Sequence, residues 1–198
     1  MPRSHEYRVL SSRRIFEGRV LVLRSDVVAM PGDVSSQRDV TELPGAVAIV
    51  ALNELQQVHL VRQYRHPVGR HLWEIPAGLL DSTEESVTTA AERELFEEGG
   101  LRALSWQTLV DVLTSPGMSD ETVRVLLARG LSTVSPAERH VPFHEEADME
   151  LRWVPLDQAA WFVAEPDPHG VRVVAPKACP LAHRVVLLKY CELFGHTC

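Results

Sequence analysis

Residues 78–101 read GLLDSTEESVTTAAERELFEEGGL, ending in Arg93-Glu94-Leu95-Phe96-Glu97-Glu98-Gly99-Gly100-Leu101. Ser82 followed by Glu85 forms a capping box, and Val87, Ala91 and Leu95 make an i, i+4 apolar stripe suited to packing on a sheet. The pattern predicts a helix over 83–98, stopped by Gly99-Gly100. Glu94, Glu97 and Glu98 then share one face, where each like-charged pair costs roughly 0.2–0.5 kcal/mol. Glu97 and Glu98 also fall in the last turn, where the helix dipole disfavours anions by roughly 0.3–1 kcal/mol each. A divalent cation would reverse the sign of both penalties. Arg93 stands four residues before Glu97 and can hold that carboxylate, leaving Glu94 and Glu98 for a metal.

Outward from this segment, the N-terminal half carries short runs rich in β-branched residues: Val20 to Leu23, Val27 to Ala29, Val40 to Leu43, Ala46 to Leu52 and Val58 to Tyr64. Pro31-Gly32, Pro44-Gly45 and Asn53-Glu54 separate them, a pattern of strands and turns. Two more strand-like runs follow the helix, Thr108 to Leu113 and Thr122 to Ala128. Strands on both sides of one packed helix imply an α/β or α+β sandwich. Five prolines, from Pro155 to Pro180, break up the last forty residues, leaving Leu181 to Phe194 as the one helical candidate there.

At 198 residues the chain suits a single ordinary core, and 45% apolar content is that of a globular protein. A net charge of −7 argues against binding a nucleic-acid polymer, because such binding needs clustered positive charge to neutralise phosphates. Ala46 to Leu52 is too short to span a bilayer, and the N-terminus shows no signal-peptide apolar region, so the expectation is a cytoplasmic protein without membrane contact. Cys179, Cys191 and Cys198 lack metal-ligand spacing and do not suggest a disulfide framework.

A carboxylate cluster with no Cys or His at ligand spacing selects a hard cation, Mg²⁺ or Mn²⁺, over zinc. Such an ion binds phosphate oxygens and can activate water against a phosphorus. The three glutamates alone are equally compatible with a solvated acidic helix end. Their neighbours decide between the two.

The segment resembles the signature of the Nudix hydrolases: Gly, five residues, Glu, seven residues, then Arg-Glu-apolar-any-Glu-Glu-any-Gly-apolar. Glu85 and the run Arg93 to Leu101 match in full. Six residues rather than five separate Gly78 from Glu85, so either the loop is one residue longer or Glu84 takes the place of Glu85. Val61 to His66, Trp73 to Gly78 and Ser115 to Glu121 are similar to flanks of the ADP-ribose pyrophosphatase subfamily, in which a proline follows the box at the distance of Pro116. His144-Glu145-Glu146-Ala147-Asp148 resembles the loop that carries the catalytic glutamate in actinobacterial, mycobacterial-type members.

The resemblance implies a Nudix fold: an α/β/α sandwich with a mixed β-sheet over residues 44–198, plus an N-terminal β-rich segment over 1–43 that serves dimerisation. It implies Glu94, Glu97 and Glu98 as metal ligands, with the backbone carbonyl of Ala77, and Glu146 or its neighbour Glu145 as the base that activates water. Arg65, and Arg38 from a partner subunit, would contact the diphosphate of a small nucleotide substrate, and Glu74 the adenine or the partner. The implied activity is Mg²⁺- or Mn²⁺-dependent hydrolysis of ADP-ribose to AMP and ribose 5-phosphate by a homodimer. Family members tend to carry an adenine-stacking aromatic near the position of Leu21, which is absent here. Two rivals therefore stand beside this reading: hydrolysis of another nucleoside diphosphate derivative, such as 8-oxo-GDP or a different nucleotide sugar, and a non-catalytic nucleotide sensor.

Overall fold

The computed structural model describes residues 5–80, 85–140, 148–162, 165–166 and 172–173. The expected capping residue Ser82, the loop glutamates Glu145 and Glu146, and the terminal helix candidate Leu181 to Phe194 lie outside them. Chain contacts divide the molecule into two units: residues up to Gly45 together with Leu113–Thr122, and Ala46–Val112 together with the residues from Val123 onward.

The first unit is an antiparallel sheet of β1 (Val9–Glu17), β2 (Val22–Met30) and β3 (Val34–Glu42), with β2 in the centre. Every residue of β1 is exposed, including Val9, Leu10, Ile15 and Phe16. Its Ser-Ser-Arg-Arg centre hides it from a search for apolar alternation, and pairing with β2 is what makes it a strand. In the same unit, Asp120 accepts the Leu43 amide and Thr41 bridges to Ser119, which fastens the segment holding Pro116 to β3.

The second unit contains β4 (Ala46–Ala51), β5 (Gln57–Arg65), β6 (Arg70–Glu74), β7 (Ala77–Leu79), α1 (Val87–Glu97), β8 (Leu101–Arg102), β9 (Ser105–Leu113), β10 (Thr122–Arg129), β11 (Ser132–Thr133), β12 (Glu150–Pro155) and α2 (Leu156–Phe162). One sheet runs in the order β7-β4-β10-β9 and is mixed, since β4 is parallel to β10 and antiparallel to β7. An antiparallel sheet β12-β5-β6 forms a second layer. All six residues of β4 are buried because both of its faces are covered. Ala46, Ala48 and Val50 enter a core shared with Val58 and Leu60 of β5 and with Leu156 and Ala159 of α2. Val47, Ile49 and Ala51 enter a second core with Ala90, Ala91 and Leu95 of α1. The result is a mixed α/β architecture of several sheets and few helices, with α1 on one face of the β4 sheet. Among the described residues, no helix is long and apolar enough to cross a membrane.

α1 begins later than the capping-box pattern suggests. Ser86 is its N-cap, and its hydroxyl accepts the Thr89 amide at 3.1 Å. Both Ser82 and Ser86 are competent caps on sequence grounds. Ser86 holds the cap, and Glu85 is bonded to Arg93. Replacing Ser86 by Ala should lower stability to urea by about 1 kcal/mol, read as a shift in unfolding midpoint at constant slope.

Candidate active site at the end of helix α1

The buried stripe of α1 fixes the helix against the β4 layer, and that orientation turns Glu94 inward to 8% exposure. Glu94 meets β7 where Gly78 pairs with Val47. A Cβ built on Gly78 would lie 1.9 Å from Glu94 Oε1, so the carboxylate occupies the space that any other residue at 78 would fill. One turn further, Glu98 Oε2 accepts the Ala77 amide at 2.8 Å. Two neighbours on β7 thus receive two of the three helix carboxylates.

Arg93 works differently from the sequence expectation. Its closest contact is with Glu94, at 2.6 Å, and Glu97 lies at 3.4 Å. Its remaining nitrogens reach both oxygens of Glu85 at 3.2 and 3.3 Å and the Leu79 carbonyl at 3.3 Å. A planar guanidinium with five donors can serve this many oxygens at once where a lysine cannot. The hydrogen bond that Arg93 donates to Glu85 is the foremost cause that raises the Arg93 pKa; burial opposes it and the Glu94 charge adds to it. Glu85 is thus bonded to Arg93, while the alternative Glu84 lies outside the described residues.

The donors gathered here are all oxygen, which suits a hard divalent cation. Glu94 and Glu98, beside the Ala77–Gly78 backbone, fit such an ion in chemistry and position. Among the described residues no three acidic, His or Cys side chains already form a closed ligand set. Arg93 on Glu94 and the Ala77 amide on Glu98 satisfy these carboxylates in its place.

On the neighbouring sheet, Arg65 donates to both oxygens of Glu74 at 2.9 and 2.8 Å. Glu74 is 2% exposed, and both of its carboxylate oxygens are taken up by Arg65. Arg38 lies on β3 in the first unit, where its guanidinium donates to Ser36 and to the Gln37 carbonyl.

One titratable residue here gave no sign in the sequence. His59, on β5 within an apolar run, is 4% exposed and lies 4.6 Å, ring to ring, from Trp153. Burial pushes its pKa down from 6.5 to about 4, so the ring is neutral at pH 7.

A NUDIX domain model matches residues 42–176. The chain belongs to the Nudix family. Among its Nudix relatives, the ADP-ribose pyrophosphatase of Mycobacterium tuberculosis is 50% identical over 156 residues, covering 79% of this chain and 74% of the relative. The ADP-ribose pyrophosphatase of Bacillus subtilis is 36% identical over 157 residues, covering 79% and 83%. The methanol dehydrogenase activator of Bacillus methanolicus is 34% identical over 165 residues, covering 83% and 87%. A crystal structure of an ADP compounds hydrolase superposes with a TM-score of 0.78 over the full length of both chains at 19% identity, a likeness of fold. The Nudix signature therefore has a structural reading in this chain: its glycine makes room for its second glutamate, and its arginine ties that glutamate to the first.

Two outcomes are expected. Because the atom in conflict is the movable end of a side chain, Gly78→Ala should fold with a stability loss of no more than about 1 kcal/mol while displacing Glu94, so activity and divalent-ion affinity are lost without unfolding. His59 has its folded-state pKa depressed, so its neutral burial costs nothing in proton binding above pH 6.5. As the pH falls from 6.5 towards 4 the unfolded chain takes up a proton that the folded chain refuses, which removes up to about 3 kcal/mol of stability. Urea unfolding of the wild type and of His59→Leu at pH 7.5 and 4.5 should show that part of the pH dependence disappearing in the variant.

Proposed function

We propose that the protein is a Mg²⁺- or Mn²⁺-dependent hydrolase that cleaves the diphosphate of ADP-ribose with water, giving AMP and ribose 5-phosphate. The substrate choice is carried by the 50% identity to the mycobacterial ADP-ribose pyrophosphatase across most of both chains. The hydrolytic chemistry is supported by the end of α1, where Glu85, Arg93, Glu94 and Glu98 are all present and linked. A sensor that had lost catalysis would have no need of this arrangement.

Glu94 and Glu98, with Glu97 and the Ala77 carbonyl, would hold the cation. When bound, it would draw negative charge off the diphosphate oxygens and favour attack by water. Arg93 keeps the Glu94 carboxylate aimed, at a place that Gly78 leaves open. Arg65, oriented by Glu74, would contact the diphosphate. Glu146, or Glu145 beside it, would take the proton from the attacking water, and the P–O bond to the leaving phosphate would break in line. In the cytoplasm two copies would act as a homodimer. The row of exposed apolar residues on β1 offers a surface for that contact, and Arg38 of a partner would join Arg65 on the diphosphate.

Glu98→Gln should reduce ADP-ribose hydrolysis on the order of 10²-fold or more at saturating Mg²⁺; unchanged turnover would remove Glu98 from the site. Comparing kcat/KM for ADP-ribose and 8-oxo-GDP checks the substrate, and a preference for 8-oxo-GDP would overturn the choice made here. Reaction in ¹⁸O-labelled water, followed by mass analysis of both products, identifies the phosphorus attacked.

A further inference from the structure

β5 and β6 are joined by the short turn His66–Val68 and by Gly69 at φ 63°, and their pairing sets Arg70 directly opposite Arg65. Directly opposed residues share a face of the sheet and stand about 5 Å apart at Cβ, where two like charges repel. That face is the one turned towards the end of α1. Alternation along β5 puts His59 on the same side as Arg65, and a Cβ on Gly99, the residue after Glu98, would lie 3.5 Å from His59 Nδ1.

The two arginines are not equally provided for. Arg65 has both carboxylate oxygens of Glu74. Arg70 is half-buried, and among the described residues its side chain has no ion pair and no hydrogen bond. Asp148 does not supply one, because it is bonded to His71, which alternation along β6 places on the opposite face. Two facing guanidiniums with one carboxylate between them repel, and a second anion beside Arg65 would turn that repulsion into attraction. The planar fork of donors on an arginine matches phosphate oxygens. A diphosphate brings two phosphate groups side by side, one for each arginine.

We propose that Arg70 is a further substrate-binding residue, holding the phosphate next to the one that Arg65 contacts. The inference rests on the reading of the protein as a hydrolase of ADP-ribose, and it adds a residue that favours two adjacent phosphates over one.

The test is calorimetric titration of the full chain with ADP-ribose and with AMP in EDTA, which prevents turnover, beside steady-state kinetics at saturating Mg²⁺. Arg70→Ala should weaken ADP-ribose binding by about tenfold or more, weaken AMP binding less, and raise KM far more than it lowers kcat. Arg70→Lys, which keeps the charge, should stay closer to the wild type. Because removing Arg70 relieves a repulsion, the urea midpoint of Arg70→Ala should equal or exceed that of the wild type. The proposal is overturned if Arg70→Ala binds ADP-ribose as the wild type does, if it loses AMP and ADP-ribose equally, or if Arg70→Lys is no better than Arg70→Ala. A lower urea midpoint in Arg70→Ala would overturn it too, since the arginine would then be supporting the fold. Arg70-dependent binding of ADP-ribose without turnover at any Mg²⁺ or Mn²⁺ concentration would overturn the proposed hydrolysis alone. Turnover with an unchanged KM in Arg70→Ala would overturn this inference alone.

Discussion

The Glu94 carboxylate sits in the volume that a side chain at Gly78 would need, and much of the second unit is arranged around that contact. A largely buried carboxylate is costly unless something charged or polar meets it. Arg93 does so from the preceding position on the same helix, and Arg93 in turn is oriented by Glu85 and the Leu79 carbonyl. The strand that supplies Gly78 also supplies the amide that holds Glu98. Removing the glycine, the arginine or the first glutamate would disturb the same small network by different routes, which is why these residue types recur together at fixed spacing in the signature.

The network needs a rigid frame, and the frame comes from β4. With apolar residues on both faces, β4 joins the core beneath α1 to the core between the two sheets. β7 is paired to β4 in register, so the height of Ala77 and Gly78 relative to the helix is set by backbone hydrogen bonding rather than by loop packing. That makes the approach of Gly78 to Glu94 dependable.

The three glutamates on one turn were legible from spacing alone, because helical periodicity fixes which side chains are neighbours. The buried strands from Ala46 onward were legible as apolar runs for a similar reason. Other features were not. The helix start was misplaced because two serines can serve as caps and their spacing alone does not choose between them. The brace from Arg93 was assigned to Glu97 by sequence distance, whereas the closer partner is the adjacent Glu94. The resemblance implied Glu74 as a contact to the adenine or the partner; its burial by pairing with Arg65 was not visible in the sequence. β1 lacks apolar alternation, and His59 lies in a strand whose pattern says only that the position is inside or outside. In these cases the deciding fact is a particular partner, as near as the adjacent residue for Arg93, that periodicity alone does not pick out.

The parallel pairing of β4 with β10 bears on the order in which the molecule assembles. α1 and β7 follow β4 closely in sequence and can associate with it early, but β10 must arrive from much later in the chain to complete the surface on which α1 rests. Contacts of that range carry a loop-closure cost before they return any stability, and they slow folding. The carboxylate turn is therefore held in its final orientation only once the long-range step is complete. During synthesis a partly emerged chain would present the acidic helix without its frame, so competence should appear in a single late event rather than grow by degrees.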